Sequence, residues 1–118
     1  MFVMTKEPIP DISAADLKAY FANRHTEKDL ADAFAIASNK FWWVEDDVYD
    51  YEEGTPEHKT ARAVTDEWRA LMEKYESRIF EILTGEGVII PKTGTIKVLE
   101  PFMARHGYAN GNGWWVKE

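Results

Sequence analysis

The densest chemistry in the chain is a run of carboxylates: Glu45, Asp46, Asp47, Asp50, Glu52 and Glu53. On a helix Asp46 and Asp50 share a face and Glu53 continues it, so a hard cation such as Mg²⁺ or Mn²⁺ could find two or three oxygen ligands there. His58 lies just past a break at Gly54, where a reversal of the chain would return it toward Asp50 and complete a mixed carboxylate–imidazole set. Asp46, Asp50, Glu53 and His58 are therefore the candidate metal ligands, and the matching activity would be that of a small helical enzyme using a divalent metal on phosphorylated substrates. The spacing fits no metal motif of known mechanism. Charge runs are ordinarily solvated faces, and Lys59 and Arg62 on the following segment are placed to offset this one. The expectation is a surface feature, with no catalytic or cofactor-binding residue assigned. Other nucleophilic arrangements are missing as well. His25, His58 and His106 fall in unrelated segments, Ser13, Ser38 and Ser77 lack a nucleophile-elbow setting, and the late glycines lack the order and the lysine of a phosphate loop.

The second group that could act is aromatic. Adjacent Trp42 and Trp43 on a helix point about 100° apart, and adjacent Trp114 and Trp115 on a strand point to opposite faces. In each pair one ring is hard to fit into a single core. Trp42, Trp43, Tyr49, Trp114 and Trp115 are thus candidate partner-binding residues, because tryptophan is enriched where interfaces concentrate their energy. The competing expectation is that the C-terminal strand docks on the helices, Trp on Trp.

These residues are positioned by long helices. Leu30, Phe34, Ala37, Phe41, Val44, Val48 and Tyr51 recur at alternating steps of four and three, one apolar stripe along a helix of about 27–53. Thr26 with Asp29 has the form of a capping box at its start. Thr55 followed by Pro56 opens a further helix of about 56–83, whose Val64, Trp68, Leu71, Met72, Tyr75 and Ile79 also keep helical spacing. The short connection at Gly54 predicts an antiparallel hairpin, with Trp68 near Phe41, Met72 near Ala37, Tyr75 near Phe34 and Ile79 near Leu30. Ser13 with Asp16, and Ile12 with Leu17, predict a short helix near 14–23 after an extended segment containing Pro8 and Pro10. Beyond Gly85 the pattern turns mixed. Val88–Ile90 reads as a strand, and 95–106 reads either as one helix interrupted by Pro101 or as a strand 95–99 followed by a helix from Pro101 to His106. The second version is favoured because proline inside a helix costs about 3 kcal/mol. Asn110–Gly113 reads as a turn and Trp114–Val116 as a last strand. The expected fold is α+β, predominantly α, in a single domain over 1–118: a helical part to residue 84 and a small α/β cap of about two strands over 85–118.

Composition narrows the function classes. The chain has 118 residues, net charge −7 and no cysteine, which removes disulfides and thiolate chemistry and suits a reducing, cytoplasmic setting. No segment has the form of a signal peptide or a membrane span. Residues 1–84 hold 10 basic and 18 acidic side chains, and residues 85–118 hold 4 and 3. That balance disfavours nucleic acid, which a winged-helix-like C-terminal part would have to meet with only Lys92, Lys97, Arg105 and Lys117. The reading favoured by composition is a protein-interaction or regulatory module that self-associates or binds a basic partner.

Overall fold

A computed structural model describes residues 12–111 and 114–118. Four helices, α1 (Ala14–Phe21), α2 (Glu27–Tyr49), α3 (Pro56–Gly85) and α4 (Ile96–Ala104), precede a two-stranded antiparallel sheet of β1 (Tyr108–Gly111) and β2 (Trp114–Lys117). The architecture is α+β and mostly helical, and its frame is the α2–α3 hairpin. The Pro8–Pro10 segment and part of the 110–113 turn lie outside the described residues.

Helix starts are set by short-range hydrogen bonds. At α2 the Thr26 hydroxyl accepts from the Asp29 amide at 3.0 Å, and the Asp29 carboxylate accepts from the Thr26 amide at 3.3 Å, satisfying two donors the helix leaves open. Thr55 caps α3 by accepting from His58 at 3.2 Å, while its hydroxyl donates to the Glu52 carbonyl at 2.7 Å and closes the turn between the helices. Ser13 caps α1 in the same way. α3 ends in a left-handed Gly87, with the Val88 amide reaching back to Leu83 and the Gly87 amide to Thr84, so that its last carbonyls are covered.

The hairpin seam follows the expected folding back. Thr65 Oγ1 lies 3.4 Å from the Val44 carbonyl, Arg69 sits over the Phe41 ring, and Lys40 Nζ lies over the Trp68 ring at 5.9 Å from its centroid. Phe34, Ala37, Phe41, Val44 and Val48 are buried on one side of this seam, and Trp68, Leu71, Tyr75 and Ile79 on the other. Two members of the stripe depart from burial: Leu30 is half-buried and Tyr51 is exposed, because α2 stops at Tyr49 rather than near residue 53. Glu52 and Glu53 therefore leave the helix. A carboxylate-rich last turn opposes the helix dipole, and ending the helix early relieves it.

The cap differs more from expectation. Val88–Ile90 is a connector, not a strand: Val88 and Ile90 pack against the core and Ile89 is exposed, and the segment pairs with no strand among the described residues. The stretch read as a strand 95–99 and a helix from Pro101 is one helix, α4, with Pro101 inside it. Burial of Leu99, Phe102 and Met103 outweighs the missing donor, and Pro101 itself faces outward. The first strand is β1 instead, paired in register Tyr108 to Lys117 through Gly111 to Trp114. Its Ala109, Asn110 and Gly111 are residue types depleted in strands, which hid it.

Candidate functional site

The four candidate metal ligands do not converge. Asp46 is exposed on α2, Asp50 is the C-cap residue, and Glu53 lies past the helix end. Glu53 and His58 share a shallow hollow of about 360 Å³ with Val48, Tyr49, Tyr51 and Arg62, which Asp46 and Asp50 do not line. Among the described residues no group of three His, Asp or Glu side chains could hold a metal ion. The ion pairs expected from Lys59 and Arg62 are also missing. None of Glu45, Asp46, Asp47, Asp50, Glu52 and Glu53 has a salt-bridge partner among the described residues, and the last turn of α2 carries no basic side chain.

The aromatic candidates divide into two sets. Trp115 is buried with its ring 6.0 Å from that of Phe34, so it belongs to the core rather than to a partner surface. Trp114 is half-buried and meets Trp43 edge to face at 6.3 Å, the Trp-on-Trp docking of the last strand. Trp42, Trp43 and Tyr49 remain 50%, 57% and 78% exposed. The physical reason lies in how far the cap extends. In its first half, the face of α2 that points away from the hairpin seam packs against β2, and Ala35, Ile36 and Asn39 are buried there. Coverage ends at the Trp43–Trp114 contact. The same face then runs on uncovered through Trp42, Trp43, Asp46, Tyr49 and Asp50.

Three polar contacts that position this cap had no signal in sequence spacing. Asn39, 0% exposed, donates to the Trp115 carbonyl and accepts from the Trp115 amide, both at 2.9 Å. Its side-chain amide thus takes the part of a neighbouring strand on the free edge of β2. The Tyr108 hydroxyl donates to Asp32 at 2.6 Å, and burial, ahead of that carboxylate, drives the Tyr108 pKa strongly upward. Finally, Arg105 bridges Glu27 on α2 and Glu86 after α3, while His106 Nε2 lies 2.8 Å from Glu27. The His106 contact is the main reason the Glu27 pKa falls. Of the four basic residues in this part of the chain, Arg105 is thus held by two carboxylates. None of the described helices is long and apolar enough to cross a membrane.

Comparison with protein-family models, with curated proteins and with solved structures finds no match to the chain.

Proposed function

We propose that the protein is an interaction module that binds a basic segment of a partner protein on the uncovered C-terminal half of α2, in a reducing, cytoplasmic setting. One observation carries this reading: Trp42, Trp43 and Tyr49 are exposed on the same stretch of helix as carboxylates that have no salt-bridge partner among the described residues. Aromatic faces attract Lys and Arg by cation–π contact, and unpaired carboxylates attract the same groups at longer range. A second copy of the chain fits less well, since both copies carry −7 and would oppose Asp46, Asp47 and Asp50 to one another.

The test is a fluorescence titration with a labelled peptide alternating Arg and Leu, against a control peptide with Gln for Arg. Binding of the first alone, weakened as salt rises and reduced on the order of 30-fold or more by Trp42→Ala with Trp43→Ala, is the expected result. Equal binding of both peptides, indifference to the double substitution, or concentration-dependent self-association that the same substitution abolishes would overturn the reading.

A further inference from the structure

At the opposite end of the hairpin, where α1 runs into α2 beside α3, a cleft of about 240 Å³ is lined by the apolar Phe21, Leu30, Ala33 and Ile82, by Tyr75, and by polar and charged side chains. Tyr75 is only 4% exposed, with its ring edge-on to Phe21 at 6.5 Å. Its hydroxyl has no hydrogen-bond partner among the described residues, yet no fully enclosed side-chain oxygen is left unpaired there. The hydroxyl therefore keeps an opening, and the cleft that Tyr75 lines is where it opens. A hydroxyl in this position takes its partner from outside the chain, either water or a ligand bound in the cleft.

The charged rim narrows what that partner could be. Arg24 is occupied, donating to the Tyr20 carbonyl and lying 3.8 Å over its ring, and the Asp29 carboxylate is spent on capping α2. Arg78 and Glu81, one turn apart on α3, make no hydrogen bond or ion pair among the described residues. Arg78 stands close enough to Tyr75 for its charge to oppose the upward push of burial on the phenol. One uncommitted cation with a phenol donor, one uncommitted carboxylate and an apolar floor are arranged around a space smaller than the roughly 300–1,000 Å³ of sites that enclose drug-sized ligands.

We infer that this cleft binds a small zwitterion, an α-amino acid with an apolar side chain: its carboxylate at Arg78 and the Tyr75 hydroxyl, its ammonium at Glu81, and its hydrocarbon on Phe21, Leu30 and Ile82. Phosphate suits the cleft poorly, because Asp29 and Glu81 would repel a dianion and the floor would go unused. The inference is independent of the α2 face proposed above, since the two sites share no residue.

The experiment is a two-dimensional amide NMR titration of the intact chain with L-leucine, 4-methylpentanoate (which lacks the ammonium) and isoamylamine (which lacks the carboxylate). Leucine is expected to give saturable shifts at 26–33 and 75–82, with a dissociation constant on the order of 1 mM, and each truncated probe to bind about tenfold more weakly. Tyr75→Phe and Arg78→Gln should each weaken leucine binding about tenfold. Tyr75→Phe should also leave the melting temperature of the unliganded chain unchanged or raised, which a hydroxyl with a purely structural role would not allow. No saturable shift with leucine, equal binding of either truncated probe, or shifts indifferent to both substitutions would overturn it.

Discussion

Asn39 shows how much a single side chain can decide. It stands on a helix face otherwise occupied by Ala35 and Ile36, and its two bonds to Trp115 are what join the sheet to α2 at full burial. Asn39→Ala removes both bonds and strands a buried amide and carbonyl on Trp115, so it should cost about 2–5 kcal/mol in a denaturant titration, with Trp115 emission shifting toward that of a wet indole. Tyr108 makes a second prediction at this scale. Its folded pKa is raised, chiefly by burial and then by Asp32, whereas an unfolded tyrosine ionises near 10.0. A raised acid contributes stability that is intact below that pH and is lost as pH rises beyond it. Alkaline unfolding monitored above pH 10 should therefore be steeper in the native chain than in Tyr108→Phe.

Between elements, charge ties the cap to both helices of the hairpin at its open end. Glu27, in the first turn of α2, accepts from Arg105 and His106, and Arg105 also holds Glu86 beyond α3. The Glu27 pKa lies below its usual 4.5, with the His106 contact the largest cause, so its contribution is complete above that value and disappears as pH falls through the folded pKa. Glu27→Gln should lower stability at neutral pH by up to about 1 kcal/mol, in keeping with its partial exposure, and the gap should narrow as the pH falls below the usual carboxylate range. The Arg105 pKa is pushed upward, first by its hydrogen bond to Glu86, and leaves no mark on this acid limb. α4 offers an opposite test. Pro101 faces outward and donates nothing to the carbonyl one turn before it, so Pro101→Ala should raise the melting temperature, by the equivalent of about 1–3 kcal/mol, with the fold unchanged by circular dichroism.

For the whole molecule, the uneven reach of the cap is the decisive feature. It covers the outer face of α2 from Asp32 to the Trp43–Trp114 contact and leaves the rest to solvent, in a chain whose net charge is −7. If this surface takes the basic partner proposed above, long-range attraction and close contact fall to different residues on it. Asp46→Asn with Asp50→Asn should slow association of the Arg-rich peptide and flatten its salt dependence while leaving dissociation nearly unchanged. Trp42→Ala with Trp43→Ala should chiefly speed dissociation, as stopped-flow fluorescence from a label on the peptide would resolve.

The hairpin was legible from residues alone because both its causes are local: apolar positions at helical spacing from Leu30 to Val48 and from Trp68 to Ile79, and caps at Thr26 and Thr55 whose hydrogen bonds span three residues. The cap was not, since β1 takes its conformation from pairing with β2 and not from its own Ala, Asn and Gly, while the burial of α4 overrides the preference of Pro101. The sites divide in the same way. Residue type marked Trp42, Trp43 and Tyr49 as hard to bury, but which carboxylates lie apart, that Trp115 belongs to the core, and that Tyr75 opens onto a cleft depend on distances between segments far apart in the chain. Those distances follow from packing, which no residue's neighbours in sequence determine.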